Sequence, residues 1–157
     1  MFYLTQSRFS DILYLCAIGF NFTVMIAKNN PLNIRFSITN FWKGQIGQRK
    51  GFVVFSNLSF GIRAACIIIM RSYRKKGLCT IRQVVSRWAP SSENNTDAYI
   101  SYVCRMLDMN PDSRLSELDY PMLISAMSWM EVGFEESVTA MQVKAVIDSF
   151  NIKPFSI

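Results

Sequence analysis

Apolar residues recur at helical spacing along most of the chain after residue 57, and this periodicity predicts five helices. Thr80 followed by Gln83 has the capping-box pattern of a helix start, and Pro121 suits the first turn of another helix. The last helix begins at Ser137 or Thr139. The five predicted helices cover about residues 60–75, 80–89, 95–107, 120–131 and 137–150.

The segment before these helices has a different pattern. Residues 29–31 have turn chemistry and an extended piece begins at Asn33. Residues 40–51, with three glycines, are predicted to form a loop, and residues 52–55 form a short strand-like run. The fold class is therefore mainly α: a helical domain with a small extended or β portion near residues 33–56.

The apolar run at residues 12–27 stands apart from the rest. Asn21 and Thr23 make it too polar, and it is too short, for a stable membrane span. It resembles either the hydrophobic region of a signal peptide or an over-long N-terminal extension from a misassigned start. Both interpretations leave one helical domain at residues 28–157. An exported chain would reach the cell envelope, and otherwise the protein would be cytoplasmic.

The amino-acid composition limits the kinds of active site and metal site that this chain can contain. The chain has 157 residues, which is enough for one domain with a real core, and it contains no histidine. Catalytic triads and His-containing zinc sites are therefore excluded. The four cysteines show no CxxC spacing, so we expect neither a metal site nor a cofactor. An enzyme of this composition would work with carboxylates, a lysine, a hydroxyl or its backbone.

Charge divides the chain into two halves. Residues 1–89 contain thirteen Lys or Arg and one acid, whereas residues 90–157 contain four basic and ten acidic residues. The first half either faces a polyanion, such as a nucleic acid, an acidic glycan or a membrane surface, or simply attracts the second half. No recognised nucleic-acid module accompanies the basic residues, so we do not expect a nucleic-acid partner.

Two glutamates are candidate catalytic residues. Glu131 ends the fourth predicted helix, which is apolar nearly all round, so its carboxyl group should be partly desolvated and its pKa raised. Glu93 lies in a polar loop beside Asn94 and Asn95, whose amides could hold a sugar. The structural alternatives are a surface glutamate for Glu131 and a helix N-terminal charge for Glu93.

Aromatic and basic residues supply candidate binding groups. Trp42, in the glycine-rich segment, is the aromatic residue we expect to face a ligand, and Arg35 is the candidate for binding anionic groups. Tyr73, Trp88 and Tyr99 recur at helical spacing, which is more typical of core positions than of a binding surface.

Five strings of the sequence carry a resemblance: NNPLNIR (29–35), FWKGQIG (41–47), GFVVFSNLSFGIRAA (51–65), TIRQVVSRWAPSSENNTDAYISYVC (80–104) and SAMSWMEVG (125–133). Together they resemble a family of small phage and prophage proteins, common in Bacteroidetes, that are labelled virion or minor structural proteins. The resemblance covers about residues 28–150, and RWAPSSENNT at residues 87–96 is its most specific part. Many members have Glu-Asn-Gly where this chain has Glu131-Val132-Gly133.

This resemblance implies a lysozyme-like fold and a role at peptidoglycan. A shorter string, residues 126–134, is similar to the helix end that bears the catalytic glutamate of lytic transglycosylases. We therefore expect a virion-associated glycosidase, of muramidase or lytic transglycosylase type, with Glu131 or Glu93 as general acid. Its partners would be peptidoglycan or another acidic glycan, together with other virion proteins. The alternative is a non-catalytic structural or wall-binding component of the virion.

Overall fold

Residues 25–156, which the computed structural model describes, contain five α-helices, one π-helical segment and a two-stranded antiparallel sheet. The expectation for residues 1–27 falls almost entirely outside these described residues. None of the described helices is both long and apolar enough to cross a membrane. The elements are β1 (Gln45–Arg49), β2 (Phe52–Phe55), α1 (Leu58–Cys66), the π segment (Ile67–Tyr73), α2 (Ile81–Trp88), α3 (Thr96–Leu107), α4 (Tyr120–Val132) and α5 (Ala140–Ser149).

The sheet lies inside the range predicted for extended structure, but the prediction of a loop over residues 40–51 was wrong for β1. Arg49 pairs with Phe52 across a two-residue turn in which Lys50 and Gly51 both have positive φ, 51° and 81°. Such a turn matches the right-handed twist of the strands it joins. Because the side chains of β1 after Gln45 are all exposed, the strand carries no alternation of apolar and polar residues that would have revealed it.

The helix starts agree with the sequence. The side chain of Thr80 accepts a hydrogen bond from the backbone of Gln83, whose own side chain bonds back, so the predicted capping box is present at α2. Asn95 and Thr139 cap α3 and α5 in the same way, each accepting a bond from the residue three positions on. These caps satisfy backbone donors that have no partner within the first turn of a helix.

The first predicted helix, residues 60–75, forms in two parts. Its α-helical part ends at Cys66, and the following seven residues wind as a wider π-helix. The apolar run of residues 67–70 fits both windings equally well, so spacing does not distinguish them. Wider turns of this kind occur often at functional sites, and Ile68, Ser72 and Tyr73 of the π segment line the main cavity.

Helix α4 is the centre of the core, as its composition predicts. Nine of its thirteen residues are buried, and it packs between α3 and α5. Tyr102 of α3 stacks on Trp129 of α4, with ring centroids 4.9 Å apart. A helix buried on nearly all sides positions its terminal residues rigidly, and Glu131 is the last residue but one of α4.

The loop before the sheet is fixed by buried amides. Asn30 is fully buried, and its side chain donates to the carbonyl oxygens of Ile34 and Val53 and accepts from the Ile34 amide. Gly61 of α1 brings the helix against the same loop, because a Cβ there would overlap the carbonyl oxygen of Asn29. The loop is thereby held against both β2 and α1.

The two charged halves of the chain do contact each other. Arg82 forms a bidentate ion pair with Asp112, in which two guanidinium nitrogens lie 2.7 and 2.9 Å from the two carboxylate oxygens. Arg35 Nη2 lies 3.4 Å from Glu93 Oε2. Both pairs join the basic half to the acidic half. Part of the charge asymmetry is therefore used within the fold.

Candidate active site

The main cavity has a volume of about 580 Å³, within the range typical of small-molecule sites. Its walls come from the segment at residues 26–42, the π segment, the end of α2 with the loop after it, and the last turn of α4, together with Phe52 of β2 and Tyr99 of α3. Glu93, Glu131 and Trp42 all line it. The two candidate carboxylates and the candidate stacking residue, which are far apart in the sequence, thus face the same space.

Glu131 is held by two aromatic side chains. The indole Nε1–H of Trp88 donates to Glu131 Oε1 at 3.0 Å, and the hydroxyl of Tyr99 lies 3.2 Å from the same oxygen. The Tyr99 hydroxyl is also 3.2 Å from the carbonyl oxygen of Met127, so its single proton is shared between two acceptors. The carboxyl group is therefore fixed in orientation through Oε1.

Burial changes the acidity of Glu131 as the sequence predicts. Desolvation raises its pKa from 4.5 to about 7, while the hydrogen bonds from Tyr99 and Trp88 and the positive charge of Arg35 act in the opposite direction. Desolvation dominates because the ionised carboxylate loses more hydration than the two donors replace. At neutral pH a large fraction of Glu131 is accordingly protonated.

The backbone around Glu131 is also fixed from outside its helix. Asn33 has a left-handed conformation, with φ 47°, and its side-chain amide donates to the Glu131 carbonyl oxygen at 3.0 Å. This bond satisfies a carbonyl at the helix end that has no partner within the helix. Gly133 then ends α4 with φ 76°. The helix end, the loop and the carboxyl group form one connected unit.

Glu93, in contrast to Glu131, lies in an exposed environment. Its side chain is 63% exposed, and it pairs with Arg35, whose side chain is 75% exposed. Both residues line the cavity, so the pair lies at the rim, where water screens the interaction. Glu93 and Arg35 are therefore accessible to an incoming ligand, whereas Glu131 lies deeper.

The remaining candidate residues divide between the cavity and the fold. Trp42 and Asn94 line the cavity, and Trp42 is partly buried against the core. Asn95 is not among the described residues that line the cavity. Its side chain instead caps α3 by accepting from the Ala98 amide.

Sequence reasoning missed the residues that hold Glu131. Tyr73, Trp88 and Tyr99 were expected in the core, yet all three also line the cavity. Tyr73 and Trp88 pack edge to face, with centroids 6.3 Å apart. The available signal was chemical, since a buried Trp or Tyr needs a partner for its N–H or O–H, but it does not identify a partner 43 or 32 positions away.

This arrangement can deliver a proton. Oε1 accepts hydrogen bonds from both Trp88 and Tyr99, and the carboxylic acid carries one proton when it is neutral. A fixed carboxylic acid with a pKa of about 7 can transfer that proton near neutral pH. The site can therefore act as a general acid on a ligand that enters the cavity.

Comparison with known proteins identifies a relative from a phage. No protein-family model matches the chain. The chain is 35% identical over 112 residues to Protein P5 of Pseudoalteromonas phage PM2, and the matched residues cover 69% of this chain and 70% of that protein. The chain therefore belongs to the family of the phage PM2 protein P5.

Proposed function

We propose that this member of the phage PM2 protein P5 family is a lysozyme-like glycosidase acting on peptidoglycan, with Glu131 as the general acid. The observation that carries the proposal is the environment of Glu131: a carboxyl group raised to a pKa of about 7, held by Trp88 and Tyr99, and lining a cavity of about 580 Å³. Glycosidases require such an acid to be protonated while it waits for substrate.

The proposed reaction is a proton transfer followed by bond cleavage. Glu131 gives its proton to the glycosidic oxygen, the bond between that oxygen and the anomeric carbon breaks, and the leaving sugar departs as an alcohol. A water then adds to the anomeric carbon and loses a proton, which restores the acid. Glu93, at the rim of the same cavity, is the second carboxylate available to assist this step.

The rim supplies groups that suit the polymer. Arg35 offers a cation to the carboxylates of peptidoglycan stem peptides, and its charge is only partly used by Glu93 because the pair is exposed and 3.4 Å long. Trp42 offers an aromatic face on which a sugar ring can stack, and Asn94 offers an amide. These groups support an acidic glycan as the proposed substrate.

The direct test is release of soluble fragments from purified cell walls by the wild type, Glu131→Gln and Glu93→Gln. Glutamine keeps an oxygen that accepts from Trp88 and Tyr99 but cannot deliver the proton, so Glu131→Gln should lose about 100-fold or more of the activity. Glu93→Gln should lose less, since its carboxylate is exposed and only assists.

Two results would overturn the proposal: no activity of the wild type on several walls, or full activity of Glu131→Gln. Wall binding without cleavage, equal in the wild type and Glu131→Gln, would instead identify a non-catalytic wall-binding or structural component of the virion. Melting temperatures of the variants separate a loss of chemistry from a loss of fold.

A further inference from the structure

The segment at residues 35–51, here called the hairpin lobe, exposes apolar side chains to an unusual degree. Ile38 is 92% exposed, Phe41 81% and Ile46 67%. Isolated exposed apolar residues are ordinary on protein surfaces. Three within nine residues of one lobe indicate a surface that meets another apolar phase.

The backbone brings these residues together. Ser37 bridges to Asn40, which places Ile38 in a tight turn directly before Phe41. The Phe36 amide donates to the Gly51 carbonyl oxygen at 2.8 Å, so this turn adjoins the hairpin that carries Ile46. The turn and the hairpin are therefore joined into one lobe by backbone contacts.

The charge of the lobe has a single sign. Arg35, Lys43, Arg49 and Lys50 are exposed, and the chain contains no acidic residue between residues 28 and 92. Within the described part of the chain, the ion pairs do not involve Arg49 or Lys50. The hairpin turn thus presents two cations beside exposed apolar groups.

We propose that the hairpin lobe docks on an anionic lipid surface. Cations around protruding apolar side chains suit a bilayer interface, where the cations meet lipid phosphates and the apolar groups enter the boundary of the acyl chains. A nucleic acid would use the cations but gives Ile38 and Ile46 no apolar phase to enter. Because Arg35 and Trp42 also line the cavity, docking would hold the cavity at the lipid surface.

Co-sedimentation of the full chain with lipid vesicles tests this proposal. The wild type should bind vesicles containing phosphatidylglycerol at least tenfold more tightly than vesicles of phosphatidylcholine alone. The double variant Ile38→Ser with Phe41→Ser should lose tenfold or more of this binding. The double variant Arg49→Gln with Lys50→Gln should lose about 25-fold at low salt, since each cation near an anionic surface contributes about fivefold.

Matched controls come from the other half of the chain. Leu118→Ser with Met141→Ser removes two apolar side chains that are equally exposed, at 88% and 82%, and Arg114→Gln with Lys153→Gln removes two exposed cations. Both controls should bind vesicles as the wild type does.

Equal binding to both kinds of vesicle, or equal losses in the control variants, would overturn the proposal. So would binding to duplex DNA that displaces the lipid and is unaffected by the serine substitutions. Glu131→Gln should bind vesicles normally, and the serine variants should still cleave soluble wall fragments. Failure of lipid docking is therefore distinguishable from failure of the proposed glycosidase function.

Discussion

The two glutamates of the cavity show how position gives one residue type two chemical characters. Glu131 lies at the end of a buried helix and has its pKa raised to about 7, with Trp88 and Tyr99 bonded to a single oxygen. Glu93 lies in an exposed loop and pairs with an arginine whose charge is screened by solvent. The carboxyl group at the helix end is mostly buried and held by hydrogen bonds, whereas the side chains of the rim pair are exposed to solvent.

Under the proposed function, this difference gives the two regions separate roles. A proton donor must be fixed and partly desolvated, and the helix end meets both conditions. A surface that admits a long polymer needs side chains that can exchange partners, and an ion pair in water can do so because its net stabilisation is small. The predictions below test the contrast, from the largest expected effect to the smallest.

The largest effect concerns stability and pH. Glu131 has a pKa near 4.5 in the unfolded chain and about 7 in the folded one. Its contribution to stability is fully present below pH 4.5 and is lost as the pH rises through 7, because ionisation then favours the unfolded state. Between pH 4 and pH 8, the free energy of unfolding of the wild type should therefore fall by about 3 kcal/mol relative to that of Glu131→Gln.

Urea titrations at several pH values measure this difference. Glu93→Gln is the matched control, since it removes a carboxylate from the rim of the same cavity. A constant difference between Glu131→Gln and the wild type across the range would show that the helix end is not desolvated.

The second effect concerns the rate of wall cleavage. Above pH 7 the protonated fraction of Glu131 falls about tenfold per pH unit, so the rate at pH 9 should be about 100-fold below its maximum. The fall in rate should have its midpoint near pH 7, in initial rates on soluble fragments. A rate that stays flat up to pH 9 would exclude Glu131 as the acid.

Much of this contrast was predictable from the sequence, because it depends on local patterns. The nearly all-round apolar composition of α4 predicted that Glu131 would be desolvated, and the capping-box pattern at Thr80 predicted where α2 begins. These features depend on neighbours within a few positions. The desolvation of Glu131 at the end of α4 can therefore be predicted from residues that are close to it in the sequence.

The partners of Glu131 were not predictable in the same way. Trp88 and Tyr99 reach it from other helices, and helical spacing alone assigns both to the core. Strand β1 escaped prediction because its exposed residues lack alternation. Both failures concern contacts between segments, which depend on how the helices and the hairpin pack rather than on local periodicity.

The third effect tests the hydrogen bonds that hold Glu131. Tyr99→Phe removes the donor that lowers the pKa most, so the pKa of Glu131 should rise further. A bond to a charged group contributes about 1.5 to 3 kcal/mol, so the variant should lose about that much stability at pH 8. At pH 4, where Glu131 is neutral, the loss should be smaller. Urea titrations at both pH values measure it, and equal losses would assign Tyr99 a packing role only.

The smallest expected effect on stability concerns the ion pair at the rim of the cavity. Removing the Arg35–Glu93 pair by Glu93→Gln should change the free energy of unfolding by about 0.5 kcal/mol or less, because both side chains are more than half exposed. The change should disappear at high salt, which screens exposed charges. Urea titrations at low and high salt measure it, with Asp112→Asn as the comparison, since Arg82 and Asp112 form a two-bonded pair away from the cavity. A loss well above 1 kcal/mol that survives high salt would show that the rim is as rigid as the helix end, and the distinction between a fixed acid and an adjustable binding edge would not hold.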